Sequence, residues 1–299
     1  MPAAAQLEAV TSEAARPLQI LAGPGSGKTR VLTSRVAHLV RDSAAPIAPE
    51  RCVVVTFTNR AANEMRARLE TMIGADRTRR LVLGTFHAVC VRFLRRWGTR
   101  LGLDPRFTIA DTDDARRLLR DVDRDAPVDA TLAAISRAKA HGWTPDELRA
   151  SAQHAPGSPA HTEHLALCRT YAAYQQQLRT SHALDFDDLL LLGVRLFREH
   201  PELTAHIDHV LVDEFQDTNA VQYELLRRLS RHVSVVGDPD QSIYSWRHAD
   251  VRHIERMHLD FPGLHRVLLE ENYRSTPQIL EAALRVMQQD PHRIPKGLY

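Results

Sequence analysis

The stretch Ala22-Gly23-Pro24-Gly25-Ser26-Gly27-Lys28-Thr29 lies where a short apolar run gives way to a helical pattern that begins at Lys28. A glycine-rich turn between a strand and a helix lets successive backbone N–H groups surround a phosphate. Lys28 would then reach the β and γ phosphates, and Thr29 would offer its hydroxyl to Mg²⁺. Ala22 stands where the general pattern has glycine, and the alternative is a glycine-rich turn without a ligand. The stretch predicts a site for a nucleoside triphosphate with magnesium.

Length and composition narrow the class of protein. The chain has 299 residues, of which 43% are hydrophobic and 25% charged, so it can bury a sizeable core in more than one compact unit. A net charge of +2 does not by itself indicate nucleic acid. The cysteines, Cys52, Cys90 and Cys168, are far apart and match no zinc spacing, which predicts reduced thiols. With no leader pattern and no apolar run of about 20 residues, we expect no membrane segment and an intracellular protein, in the nucleus if eukaryotic and in the cytoplasm or nucleoid if bacterial.

Short apolar runs recur along the chain and predict strands. They are Leu18–Leu21, Cys52–Phe57, Leu81–Leu83, Val210–Val212, Val233–Val236 and Val267–Leu269. Each run is mainly apolar rather than alternating, as strands buried on both faces of a parallel sheet are. Helical patterns separate the runs, for example at 61–69 and 221–229. The pattern predicts an α/β nucleotide-binding core.

Between about His87 and Asp185 the strand signal nearly disappears. Helical patterns cover about 87–101, 111–122, 129–140 and 161–180, with one short apolar run at 107–109. A mostly helical subdomain is therefore expected inside the α/β core. The predicted division is a first core part at 1–88, an inserted helical subdomain at 89–185, a second core part at 186–290 and, at 291–299, the start of a further domain.

Two adjacent carboxylates follow the apolar run that ends at Val212. At the carboxyl end of a strand, Asp213 can hold Mg²⁺ directly or through water, and Glu214 can orient or deprotonate an attacking water. An apolar strand followed by this pair is common by itself. With the phosphate-binding stretch upstream, it predicts hydrolysis of the bound triphosphate.

Several longer motifs then occur in a fixed order. They are Val55-Thr56-Phe57-Thr58-Asn59-Arg60-Ala61-Ala62, Gly84-Thr85-Phe86-His87, Gln216-Asp217-Thr218-Asn219, the stretch Val235 to Arg247, and Leu269-Glu270-Glu271-Asn272-Tyr273-Arg274-Ser275. From Gln6 to its C-terminus the chain closely resembles superfamily 1 DNA helicases of the UvrD, Rep and PcrA type. Features of the inserted region resemble the fungal anti-recombinase branch of that family. The resemblance implies a RecA-like P-loop NTPase core that uses ATP and Mg²⁺.

The resemblance also implies roles for individual residues at the nucleotide. Gln6 would read the adenine edge and Tyr273 would stack on the base, while Gln241 and Arg274 would sense the γ-phosphate. An arginine fork can spread positive charge over phosphate oxygens. Thr29 and Asp213 would hold the metal, and the expected catalytic residues are Lys28, Asp213, Glu214, Gln241 and Arg274. The expected nucleotide-binding residues are Gln6, Gly23, Gly25, Ser26, Gly27, Lys28, Thr29, Arg30, Tyr273 and Arg274.

A second set of residues is implied for single-stranded DNA, and it comprises Phe57, Thr85, Phe86, His87, Tyr244, Trp246 and Arg247. Aromatic faces stack on any base and therefore tolerate all sequences. Each aromatic residue alone is more often part of a core. Tyr244 and Trp246 are favoured as base platforms because their surrounding stretch is too polar for a buried strand. His248 stands where similar helicases usually carry a small residue.

The leading hypothesis is the N-terminal motor half of an ATP-dependent 3′-to-5′ DNA helicase of repair or recombination, acting on single strands and single/double-strand junctions. Only 25 residues follow Arg274, whereas a domain needs at least about 50, so we expect the second motor domain to be absent and the chain to hydrolyse slowly without unwinding. The alternative is a non-catalytic ATP- or single-stranded-DNA-binding regulatory protein. A GTPase or a transporter-type ATPase is disfavoured, because no Asn-Lys-x-Asp and no Leu-Ser-Gly-Gly motif occurs.

Overall fold

The computed structural model describes residues 4–152, 155, 157–244, 246, 248–287 and 289. The strands are β1 (Leu18–Ala22), β2 (Cys52–Thr56), β3 (Val82–Thr85), β4 (Thr108–Ile109), β5 (Ala183–Leu184), β6 (His209–Val212), β7 (Val233–Gly237) and β8 (His265–Leu269). The α-helices are α1 (Ala4–Thr11), α2 (Lys28–Ala37), α3 (Asn59–Ile73), α4 (Ala75–Arg80), α5 (Phe86–Trp97), α6 (Thr112–Val122), α7 (Val128–Ala140), α8 (Pro145–Ala150), α9 (Pro159–Thr180), α10 (Phe186–Glu199), α11 (Ala220–Leu229), α12 (Arg252–Asp260) and α13 (Pro277–Met287). In the described part, no helix has the length and apolar character needed to cross a membrane.

Six strands form the central sheet in the order β3-β2-β6-β7-β1-β8, and every neighbouring pair is parallel. Strands β1, β2, β6 and β7 are buried along their whole length. Helices on a parallel sheet cover both faces, which is why these strands are mainly apolar, with polar exceptions such as Gln19 in β1 and Ser234 in β7. The predicted α/β fold with a parallel sheet is confirmed.

The sheet order determines which loops meet. Because all six strands run in the same direction, their carboxyl ends lie along one edge of the sheet. The glycine-rich loop follows β1, Asp213 follows β6, Asp238 follows β7 and Glu270 follows β8. In the sheet, β1 lies between β7 and β8, and β6 lies beside β7. Segments far apart in sequence are thereby brought to one place.

Arg35 of α2 fixes the C-terminal end of α1 although it is fully buried. Its Nη1 donates to the carbonyl oxygens of Ala9, Val10 and Ser12 at 2.9–3.2 Å, and its Nε donates to Ser234 Oγ at 2.6 Å. Burial lowers the pKa of Arg35 to about 10, so it stays cationic at neutral pH. A buried cation needs such oxygen partners, and they hold α1 against the helix that follows the glycine-rich loop.

Two compact units divide the chain. One takes in the described residues up to Val89, residues 201–218 and the described residues from Leu226 on; the other takes in residues 90–200 and 219–225. The sequence analysis assigned residues 186–200 to the core, but α10 belongs to the helical unit. Its Gly193 packs so closely on Cys90 that an added Cβ would lie 2.8 Å from the sulfur. The short run at 107–109 forms β4, which pairs with β5 inside this unit.

A buried ionic cluster joins α7, α9 and the start of α10 in the helical unit. Lys139 Nζ donates to Asp185 Oδ2 at 2.6 Å and to Asp188 Oδ1 at 2.7 Å. Tyr174 Oη donates to Asp185 Oδ2 at 3.1 Å, and Gln175 Nε2 donates to Asp188 Oδ1 at 2.8 Å. Burial alone would lower the pKa of Lys139, but the two carboxylates outweigh it and raise that pKa. The other two oxygens, Asp185 Oδ1 and Asp188 Oδ2, accept the backbone N–H groups of Asp188 and Asp185, so the cluster is one cation held between two fully hydrogen-bonded carboxylates.

We expect Lys139→Met to destabilise the protein by about 3–5 kcal/mol, because it leaves two buried carboxylates without their cation. Urea unfolding followed by circular dichroism measures the change. The matched control is Arg195→Met, which breaks the exposed pair with Glu199 on α10 and should change stability little. Equal losses in the two variants would contradict the interpretation.

Folding stability should also depend on the protonation of His209. Its Nε2 lies 2.8 Å from Ser234 Oγ in the fully buried core, and burial, with the nearby Arg35 charge, lowers the pKa of His209 to about 3. The unfolded chain, with a histidine pKa of about 6.5, binds a proton that the folded chain excludes. Stability is therefore lost as pH falls below about 6.5, by about 2 kcal/mol between pH 7 and 5 from this residue.

Urea unfolding of the wild type and of His209→Asn at both pH values tests this expectation. The substituted protein should lose about 2 kcal/mol less on acidification than the wild type. An identical loss in both proteins would show that His209 is not the group responsible.

Candidate nucleotide and nucleic-acid site

The glycine-rich loop adopts backbone conformations that only glycine takes readily. Gly25 has φ 70° and Gly27 has φ 86°, both in the left-handed region. A Cβ on Gly25 would lie 2.7 Å from Arg274 Cβ, and one on Gly27 would lie 3.3 Å from Gln6 Nε2. Ser26 is buried, and its Oγ donates to the Gly23 carbonyl at 2.7 Å. The loop is thus a tight turn at the start of α2.

A cavity of about 240 Å³ opens at this loop. It is lined by residues 25–30 together with Arg68, Glu214, Gln241 and Arg274. Four of these side chains are cationic, namely Lys28, Arg30, Arg68 and Arg274, against the single carboxylate of Glu214. Arginine and lysine around a helix N-terminus favour an anionic ligand. The cavity is therefore suited to a polyphosphate.

The two predicted metal-binding side chains lie next to each other. Thr29 Oγ1 donates to Asp213 Oδ2 at 3.3 Å, although the two residues are 184 positions apart. Burial, together with the neighbouring Glu214 charge, raises the pKa of Asp213 to about 6. Hydroxyl and carboxylate oxygens are the ligands that Mg²⁺ takes, and it is usually held by one or two carboxylates plus phosphates. The residues present fit a magnesium ion shared with a phosphate.

Glu214 stands in an uncommon backbone conformation, with φ 50° and ψ 45°. A non-glycine residue in the left-handed region costs roughly 1–2 kcal/mol, and such outliers cluster at functional sites. Its carboxylate lines the cavity beside Lys28 and Thr29. The structure thus brings together the lysine of the loop and the acidic pair after β6.

The segment after β8 closes on the glycine-rich loop. Asn272 Nδ2 donates to the Pro24 carbonyl at 2.6 Å, and its Oδ1 accepts from Arg274 N at 2.8 Å. The N–H of Tyr273 donates to the Gly25 carbonyl at 3.1 Å. Arg274 lines the cavity, whereas the Tyr273 ring is 56% exposed, and its hydroxyl donates to Glu271. This exposure leaves the ring accessible for stacking.

Gln6 lies beneath the loop and is buried. Its Nε2 donates to the Ser26 carbonyl at 2.9 Å, so it is not an unremarkable residue on a helix surface. Its contact with adenine stays a prediction. Three further residues at this site were missed by the sequence analysis as site residues: Arg68, Asn272 and Gln216. Asn272 and Gln216 lie within motifs quoted in the sequence analysis, where they were given no role, and Arg68 lies in none of those motifs.

The aromatic residues predicted for DNA fall into two groups. Phe57 and Tyr244 have ring centroids 5.1 Å apart, and Tyr244 and Trp246 have centroids 6.0 Å apart. Trp246 is 67% exposed. These three rings, Phe57, Tyr244 and Trp246, form a continuous aromatic track at the carboxyl side of the sheet. Phe86 is only 4% exposed, so its ring packs in the interior and is not available for stacking.

For the polar residues of the predicted DNA set, the structure gives fewer indications of a contact with DNA. Thr85 Oγ1 accepts from Ala88 N at 3.3 Å at the start of α5. His87 is partly buried, and burial lowers its pKa; its contact with DNA stays a prediction. Arg247 lies outside the described residues. His248 has φ 65°, in the left-handed region that glycine adopts most readily.

Comparison with known proteins gives a consistent result. The family model of the UvrD/REP helicase N-terminal domain matches residues 3–262. The ATP-dependent DNA helicase PcrA of Leuconostoc citreum is 42% identical, over 98% of this chain and 40% of its own length. PcrA of Staphylococcus epidermidis is 40% identical over 96% of this chain and 41% of its own length, and PcrA of Staphylococcus aureus is 39% identical over 95% and 39%. The chain spans about two fifths of the length of these curated relatives.

Proposed function

The chain belongs to the UvrD/REP helicase N-terminal domain family, and on that premise we propose that it binds and hydrolyses ATP as part of a helicase that moves along single-stranded DNA. The observation that carries this proposal is the contact of Thr29 with Asp213 beside a cavity lined by Lys28 and Glu214. A protein that only binds ATP, without hydrolysing it, does not need all four of these side chains. The regulatory alternative is for that reason disfavoured.

The proposed roles at the nucleotide follow from the cavity. The N–H groups of the glycine-rich loop and Lys28 bind the β and γ phosphates. Arg274, Gln241 and Arg68 line the same cavity and would contact the phosphate chain, while Tyr273 would stack on the base and Gln6 would read its edge. Each charged side chain offers donors to an anion, which supports a triphosphate over a neutral ligand.

Thr29 and Asp213 would hold Mg²⁺, which when bound neutralises charge on the phosphate oxygens. Glu214 is the residue that orients the attacking water and accepts its proton, since its carboxylate lines the cavity and it is not needed as a metal ligand. Burial and the Glu214 charge raise the pKa of Asp213, and a metal cation bound beside it would lower that pKa again. Charge compensation by the metal is therefore part of the proposal.

The aromatic track is proposed to bind single-stranded DNA by stacking. Tyr244 and Trp246 follow Gln241 within five residues, so the segment that carries the phosphate sensor also carries the base platforms. We propose 3′-to-5′ movement, single/double-strand junctions as substrate and a role in DNA repair or recombination. The unit with the six-stranded sheet is the motor domain and the other unit the inserted subdomain. The bacterial relatives favour the cytoplasm or nucleoid as the site of action.

The nucleotide assignment is tested with Lys28→Ala. Loss of a charge-assisted contact of about 1.5–3 kcal/mol should weaken binding of a fluorescent ATP analogue with Mg²⁺ roughly 10- to 100-fold. Equilibrium titration measures the affinity, and Arg285→Ala, which removes an exposed cation on α13, is the matched control. No binding by the wild type, or unchanged binding by Lys28→Ala, would contradict the assignment.

The DNA assignment is tested at Trp246, one of three tryptophans in the chain. An oligothymidylate should quench tryptophan emission. Trp246→Ala should remove that quenching and weaken binding by the roughly 1–3 kcal/mol of one stacked base. Trp143→Ala removes a part-exposed tryptophan of the helical unit and should leave both signals largely intact. Quenching that disappears with Trp143 instead would contradict the aromatic track.

A further inference from the structure

Gln216 connects the proposed catalytic carboxylate with the loop after β7. Its Nε2 donates to Glu214 Oε2 at 2.9 Å and to Asp217 Oδ2 at 3.3 Å. Its Oε1 accepts from Asp238 N at 3.0 Å. The residue is 2% exposed, so these bonds form away from solvent, where each is harder to replace.

The orientation of this amide is determined by its partners. Turning it over would place Nε2 against the Asp238 N–H, a donor against a donor, and Oε1 against two carboxylates. Both amide hydrogens and the carbonyl are therefore used, and the geometry has one chemically sensible assignment. Glu214 is held at Oε2 by a donor that is itself fixed at its other end.

The space around the amide is equally restricted. A Cβ on Gly237 would lie 2.8 Å from Gln216 Oε1 and 3.2 Å from Gln216 N. The last residue of β7 must therefore be glycine for the amide to reach the Asp238 N–H. Close backbone approach is a reason for glycine at a strand end.

The same connection continues to the other side of the cavity. Asp238 is fully buried, and its Oδ2 accepts from Gln241 Nε2 at 2.6 Å. Glu214 and Gln241 both line the cavity. The path from Glu214 through Gln216 and Asp238 to Gln241 thus begins and ends at the site and runs behind it, and we call it the amide bridge.

We propose that Gln216 is a positioning residue. It fixes the side-chain carboxylate of Glu214, a residue whose backbone is left-handed, and it links the orientation of that carboxylate to Gln241 through the amide bridge. The inference rests on the proposed function, because it assigns Glu214 the task of orienting water. Gln216 touches neither nucleotide nor metal in this scheme. Its removal should therefore change the rate of hydrolysis and leave nucleotide affinity nearly unchanged.

The test is Gln216→Met, which keeps the volume and removes the amide. In single-turnover assays with the chain in excess over ATP, hydrolysis should fall on the order of 100-fold, the effect of roughly 1 Å of misplacement. The dissociation constant for Mg²⁺·ATP should stay within about threefold, since the phosphate contacts of the loop are untouched. In a Glu214→Gln background the same substitution should change the rate less than about twofold, because residues that act as a unit are non-additive.

The matched control is Gln19→Met. Gln19 is also a fully buried glutamine, with Nε2 donating to Ile254 O and Oε1 accepting from Arg266 Nε, both at 2.7 Å. The Gln19→Met protein should be less stable than the wild type but should hydrolyse ATP at the same rate. Gly237→Ala is a second probe, because its methyl group would push on the amide of Gln216, and it should slow hydrolysis with affinity kept even if Gln216→Met does not fold.

The outcomes separate the inference from the proposed function. If the wild type binds and hydrolyses ATP while neither Gln216→Met nor Gly237→Ala lowers the rate more than Gln19→Met, the positioning role is overturned and the proposed function stands. An additive loss in the Glu214→Gln background also overturns the positioning role. If the wild type neither binds nor hydrolyses ATP, the proposed function is overturned and this inference with it.

Discussion

The parallel pairing of the central sheet is the constraint on which the rest of the structure depends. Strand β7 pairs with β1 on one side and with β6 on the other, so the loop after β1 and the acidic pair after β6 end at the same edge. The hydroxyl of Thr29 contacts the carboxylate of Asp213 because β1, β7 and β6 pair in this order and register. A shift by one residue would turn the side chains of these strands to the opposite face. The geometry of the cavity is a consequence of strand order.

The charge balance of the site follows from its burial. Asp213, Glu214 and Asp217 lie close together, and burial with the Glu214 charge raises the pKa values of Asp213 and Asp217 to about 6 each. Facing them are Lys28 and the arginines of the cavity wall. In the function proposed above, a magnesium ion would compensate the carboxylates and a triphosphate would compensate the cations.

Much of the fold was predictable because the strands are buried on both faces and leave continuous apolar runs. The glycine-rich loop and the pair Asp213–Glu214 were predictable for a local reason, since each motif is contiguous in sequence. Residues whose role depends on tertiary packing were not. Arg68, Asn272 and Gln216 reach the site from three different elements, and Phe86 follows a strand in the expected motif yet turns inward. The boundary at α10 was misplaced because its apolar face packs within the helical unit.

The insertion has a consequence for how the chain assembles. The ion pair between Arg51 and Asp208, at the start of the β2–β6 pairing, joins residues 157 positions apart. Contacts within the helical unit include pairs that are much closer in sequence, such as those between α8 and α9. Local contacts form sooner than distant ones, because less chain entropy is lost in closing them. We therefore expect the helical unit to reach its native arrangement before the two flanking segments of the sheet pair with each other, and the sheet edge that carries the glycine-rich loop to be completed last.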